Sequence, residues 1–266
     1  MANEYLSGFS LEGLVVPTKA ATIYTAQEQS LFLGGQLIPM VNVPAGSQSA
    51  QVPLLGEVTA QTIDSEQGDD LIVNAIGDTT ATIPVNLYAA RSVVRDLGGI
   101  DPSELGRVLG NAVAKAYDTA VLTELGTGLT EVTAGDLTGD AIFDAVASIR
   151  GNGEMGQLYG IVSTEQAAAL MKDTFANGNM AGGDFQTEAL RNGFVGAYAG
   201  VQLFQSALVP AAHNGFIFGP DAARLAMQRN VDIEVQRRAA AVGNDIVASI
   251  HAGVGVTDAN RGVQLI

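Results

Sequence analysis

At 266 residues the chain can bury one large core or two modest ones, and with no cysteines it holds neither disulfides nor thiolate metal sites. Its net charge of −15, with Lys19, Lys115 and Lys172 its only lysines, argues against a protein that grips nucleic acid by neutralising phosphates. Hydrophobic residues make up 47% and charged residues only 15%, a balance that predicts surface covered by neighbours, while no apolar run is long enough to cross a membrane.

The start, MANEYLSGFS, has neither the basic stretch nor the apolar core of a secretory signal. Gly8, Gly13, Pro17, Gly34, Gly35, Pro39, Pro44 and Gly46 interrupt residues 1–50, which are therefore expected to form an extended arm with a short helix near Ala26–Leu33. Residues 51–90 read as two strands, with Ile83, Val85, Leu87 and Ala89 alternating against Thr82, Pro84, Asn86 and Tyr88. Pro53 and Pro84 favour edge positions, because proline cannot donate to a ladder. Between the strands lie acids without a base: Glu57, Asp64, Glu66, Asp69, Asp70 and Asp78. A one-sign run is first a solvated loop. A two-stranded hairpin is marginal in water, so this one is expected to rest on another subunit.

Asp101-Pro102-Ser103-Glu104 supplies an N-cap, a proline at the first helical position and a capping-box glutamate. The predicted stripe is Leu105, Leu109, Ala112, Ala116, Ala120 and Leu125, with Gly126 as the stop. About 24 residues make a rod of roughly 36 Å. Next come predicted helices at Gly139–Arg150 and Glu165–Lys172, strands at Leu158–Val162, Val201–Gln205 and Phe216–Phe218, and a Gly/Asn-rich loop at Asn177–Asp184. This alternation reads as a compact α/β unit. Residues 221–229 look helical, Val231–Arg238 looks like a strand, and the tail alternates weakly from Ile246 to Val256. Arg224, Arg229, Arg237 and Arg238 are read as ordinary solvated or interface arginines.

Catalytic signals are absent. Gly151-Asn152-Gly153-Glu154-Met155-Gly156 matches G-x-G-x-x-G, but it lies between a helix and a strand, the reverse of the order a dinucleotide site needs. A helix-to-strand turn explains those glycines. Asp136, Asp140 and Asp144 lack further ligands nearby and suit a helix start. His213 and His251 stand apart from any acid or nucleophile at motif spacing, and no G-x-S-x-G elbow or phosphate-binding loop occurs. No enzyme activity, metal or cofactor is expected.

In this order the segments resemble the major capsid proteins of tailed bacteriophages, the Hong Kong 97 fold. The resemblance rests on residues 91–128, with Asp118-Thr119-Ala120-Val121-Leu122 and Gly126-Thr127-Gly128, on Tyr159–Leu170, on GFVGAYAGVQLFQSALVP at Gly193–Pro210, and on Phe216–Val235. It implies an α+β fold with an N-terminal arm (1–50) and an extended β-hairpin loop (51–88). A peripheral domain with a long spine helix would take 89–137 and 224–245. An α/β axial domain would take 138–223, rejoined by 246–266. It also implies hexamers and pentamers of the chain itself in an icosahedral head around double-stranded DNA, located in the virion after assembly in the host cytoplasm.

A portal protein follows from the same resemblance, and a cement protein stays an open question. The sequence shows no helical scaffold segment ahead of the arm, which predicts a separate scaffolding protein. No lysine lies between Lys19 and Lys115, which predicts a shell without lysine–asparagine cross-links. Assembly contacts are expected between Asp64, Glu66, Asp69 and Asp70 of one subunit and Arg91, Arg95, Arg237 and Arg238 of its neighbour. The rival reading is an encapsulin, a compartment of the same fold enclosing cargo enzymes. Such a chain is expected to begin with a cargo-docking helix, and the broken first fifty residues favour the phage reading.

Overall fold

The computed structural model describes residues 11–55, 60, 77–95, 101–133, 135–176 and 194–266. The acids Asp64, Glu66, Asp69 and Asp70 and the loop at 177–184 lie outside these residues.

The first element corrects the expectation of an extended arm. Leu11–Gln29 is a helix, α1, with Pro17 inside it. The apolar period failed to mark it because its buried side is largely threonine: Thr18, Thr22 and Thr25 are buried beside Ala26. Each turn can satisfy such a hydroxyl locally, as Thr22 Oγ1 does by donating to the Thr18 carbonyl at 2.9 Å.

After β1 (Met40–Asn42), β2 (Ser49–Leu55) and β3 (Asp78–Pro84) pair antiparallel as a two-stranded sheet of their own, with Pro53 opposite Thr80 and Ser49 opposite Pro84. Then β4 (Asn86–Arg95) leads towards α2 (Pro102–Gly128). The Asp101 carboxylate accepts from the Ser103 N–H at 3.0 Å, as the cap predicts, but Glu104 pairs with Arg107 instead of closing a capping box. The buried stripe is rotated from the expected one. Leu105, Leu109, Val113, Tyr117, Val121, Leu122 and Leu125 are buried, while Ala112 and Ala116 face outward. Nor does Gly126 stop the helix; it makes room for His213, and the helix runs on to Gly128.

Short β5 (Thr130–Val132) is followed by α3 (Gly139–Gly151), β6 (Leu158–Ser163), α4 (Thr164–Ala176), β7 (Phe194–Tyr198), β8 (Val201–Ser206) and β9 (Gly215–Phe218). The glycine-rich hexapeptide is the expected turn between α3 and β6, with Gly153 at φ 89°. Beyond β9, residues 223–238 are one strand, β10, and the helix expected at 221–229 is absent. Ala223, Leu225, Ala226 and Met227 are all buried there, flanked by strands on both sides. A strand buried on both faces shows a continuous apolar run, which periodicity alone cannot tell from a helix. The chain closes with β11 (Gly243–Val256) and β12 (Gly262–Leu265).

Two larger sheets result. The first has the order β1-β10-β11-β4, the second β5-β12-β9-β6-β8-β7. Residues 246–256, grouped by the resemblance with the α/β unit, run in the first sheet; only β12 joins the second. The main core lies between α2 and the inner face of the first sheet, where Ile246, Ala248, Ile250, Ala252 and Val254 meet Leu109, Val113 and Tyr117. A second core packs α3 and α4 on the second sheet through Ile142, Ile149, Leu170 and Leu203.

Candidate assembly surface

The outer face of the first sheet is set by strand register. Arg91 stands opposite Val247 and Glu234, and Arg95 opposite Gly243 and Arg238. Directly paired residues of an antiparallel ladder share a face. Arg91, Arg95 and Arg238 therefore share the outer face, at the β4–β11–β10 end, while Arg237 falls on the opposite side with Asn244 and Val94. Three of the four expected arginines are thus brought together. One of them is engaged within the chain: Arg91 Nε donates to Asp245 Oδ1 at 2.7 Å, and a second guanidinium nitrogen meets the other carboxylate oxygen. That hydrogen-bonded guanidinium holds the Asp245 carboxyl below the usual range, with Arg238 adding a smaller pull. No acid pairs with Arg95 among the described residues. Leu87, 62% exposed, and Val93 add apolar area to the same face.

The hairpin is rooted on this outer face. Ile83 lies over Gly255, and the Pro84 carbonyl sits where a Cβ on Gly253 would be. Val43, Ala50, Ile83 and Ala226 close a small apolar cluster at the root. A cleft of about 550 Å³ separates Val52–Leu54 of the hairpin from Asp221, Arg224, Asp258 and Arg261. The outer face thus carries a charged end, exposed apolar side chains and the root of the hairpin.

Two features escaped the sequence reading. Gly106 and Gly110 line a groove on α2 that seats α1: a Cβ there would stand 2.6 Å from the Thr18 carbonyl and 2.5 Å from the Thr22 carbonyl. Thr22 Oγ1 also donates across to the Gly106 carbonyl at 3.0 Å. Two glycines one turn apart inside a strong helix were the available signal. At the end of this groove Asp118 accepts from Ser30 Oγ at 2.6 Å and from the Leu31 N–H at 3.0 Å, tying down the turn after α1.

As for catalysis, no group of three His, Asp or Glu residues among the described residues could hold a metal ion. Asp140 takes the first turn of α3 after the Thr138 cap, the place acids suit.

No family model and no curated protein sequence matches the chain. Solved structures do. The capsid of the cyanophage P-SCSP1u aligns with a TM-score of 0.70 at 19% identity, covering 89% of this chain and 88% of that one. The chain has the fold of capsid subunits. The capsid of a native GTA particle has the same fold, with a TM-score of 0.70, 18% identity and coverage of 91% and 89%. A virus-like particle from Pyrococcus furiosus follows at 0.67 and 14%, covering 94% of this chain and 97% of that one. In this capsid fold the mixed α+β architecture is shared across nearly the whole chain.

Proposed function

We propose that the chain is the repeating subunit of an icosahedral shell of the tailed-phage type, assembling as hexamers and pentamers around double-stranded DNA. The observation that carries this reading is the likeness to phage capsids at close to nine-tenths coverage in both directions. The hairpin supports it, since two strands with a small root cluster gain from a neighbour to lie on. In Hong Kong 97 terms, β2–β3 is the extended loop and α2 the spine helix. The first sheet, with β11, is the peripheral domain, and the second sheet with α3 and α4 is the axial domain. A separate scaffolding protein and a portal complete the assembly in the host cytoplasm, and a cement protein is a further candidate partner on the outside. The subunit's work is structural, not enzymatic.

Light scattering on the size-fractionated protein, expressed with and without its scaffolding partner, tests this. Assemblies far above the 27.4 kDa subunit are expected. A lone monomer or dimer under all conditions would contradict it.

A second reading has one observation in its favour. The sequence argument against an encapsulin was the lack of an N-terminal helix, and α1 lies along α2. The contents of purified particles separate the two: nuclease-protected double-stranded DNA supports the phage head, and enclosed host enzymes support the compartment.

A further inference from the structure

Among the described residues the chain passes between its two larger sheets three times: at Leu129 from α2 to β5, at 219–222 from β9 to β10, and at 257–261 from β11 to β12. All three crossings are tied together. Thr130 Oγ1 donates to the Ala259 carbonyl at 2.9 Å, the Gly219 N–H to the Arg261 carbonyl at 3.0 Å, and the Thr257 N–H to the Ala222 carbonyl at 2.8 Å. Gly128 lies against Val256, where a Cβ would collide with its side chain.

One side chain joins these crossings to the body of the second sheet. Arg261 meets three carboxylates from three separate segments: Asp258 at 3.1 Å, Asp221 at 3.3 Å and Glu154 at 3.4 Å. Asp221 precedes β10, Asp258 follows β11, and Glu154 comes from the turn between α3 and β6. Glu154 is only 4% exposed. Its carboxylate packs over Gly219 and accepts the Gly156 N–H at 2.9 Å. A buried carboxylate stripped of its cation partner is strongly unfavourable, so this arrangement is held by the guanidinium. A planar fork can meet several carboxylates at once, which a lysine ammonium cannot do at a fixed geometry. The cluster also faces the hairpin root across the cleft with Val52–Leu54.

We infer that Arg261 is a positioning residue that locks the angle between the two sheets. Resting on the shell reading, it thereby sets the curvature that each subunit imparts to a particle. Apolar packing around Phe216, Phe218 and Leu129 joins the sheets without fixing their rotation, because such contact is non-directional. The hydrogen bonds hold the crossings to one another, and the ion cluster ties them in a fixed direction to Glu154 and the second sheet.

The absence of cysteine makes the test clean. Spin labels on Lys115→Cys, exposed on α2, and Asp144→Cys, exposed on α3, report the distance between the two layers by pulsed electron resonance. In an otherwise wild-type chain a narrow distribution is expected. Arg261→Ala should at least double its width with the circular dichroism spectrum unchanged, and Arg261→Lys should give an intermediate width. An unchanged width in Arg261→Ala overturns the inference. If that variant does not fold, the double variant Asp221→Asn, Asp258→Asn keeps the Arg261–Glu154 pair and should still broaden the distribution; an unchanged width there overturns it equally. Where wild-type chains form shells, Arg261→Lys shells should be mixed in diameter, and Arg261→Lys shells as uniform and as large as wild-type ones remove the curvature claim. Wild-type chains that form no shells count against the proposed function instead, and the label distances still decide the angle.

Discussion

Asp118 is 2% exposed on α2, and burial pushes its carboxyl up to about 6, against the pull of hydrogen bonds from Ser30 and Leu31. An acid whose folded pKa lies above its unfolded value of 3.8 adds stability fully below that value. The contribution is lost as pH rises through about 6. A shift of this size corresponds to about 3 kcal/mol. Asp118→Asn can still accept from the Leu31 N–H and can donate to Ser30 Oγ. Thermal melts of this variant should be flatter than wild type between pH 4 and 6, and higher at pH 7. A variant curve that keeps the wild-type fall would contradict the assignment. Asp232 behaves oppositely: the Lys19 ammonium at 2.7 Å, with Arg229, holds its carboxyl at about 2. Its contribution is present above 3.8 and lost as pH falls towards 2, a separate window. The position of Asp118 was legible in principle. It lies four residues from both Ala114 and Leu122, and a stripe phased on Val113 and Tyr117 would have buried it; phasing on Ala112 and Ala116 turned it outward. Its partners at Ser30 and Leu31, 88 and 87 positions away, carried no sequence signal.

Between elements, α1 approaches the backbone of α2 closely at Gly106 and Gly110. Glycine inside a helix is unfavourable by about 1 kcal/mol against alanine, so two of them one turn apart need a packing reason. Gly110→Ala gains that propensity but drives a methyl against the Thr22 backbone, which cannot swing aside as a side chain could. A net loss of about 1–3 kcal/mol is expected, in the range of overpacking. Hydrogen exchange should quicken in α1 while the amides of β11 stay protected; a higher melting temperature would show that helix propensity wins. The hairpin invites a test of its own. If the acidic loop meets the Arg95–Arg238 end of a neighbour, Asp69→Lys with Asp70→Lys should cut particle yield while leaving the monomer's circular dichroism unchanged. Each surface pair is weak, so the effect depends on repetition around a shell; normal yields would count against this contact. Elements with a clear cap or alternation, such as α2, α3 and β6, were readable from sequence. α1 and the start of β10 were not, because threonines hid one buried face and burial on both sides erased the other's period.

At the scale of the molecule, the two larger sheets, each with its own core, are joined through three crossings among the described residues, and the first sheet's outer face bears the rooted hairpin. The order of segments was readable because each half keeps its own chemistry: a long capped helix before the first sheet's closing strands, and βα alternation within the second unit. The path of residues 246–256 was not, since a strand's partner depends on register across the sheet, which weak alternation does not specify. The chain is apolar and acidic, and its fold is that of capsid subunits. The most direct measurement is electron microscopy of the expressed protein, alone and with the proposed scaffolding protein. The account predicts closed shells or hexameric and pentameric capsomers. Particles of one or two subunits in every condition would contradict it.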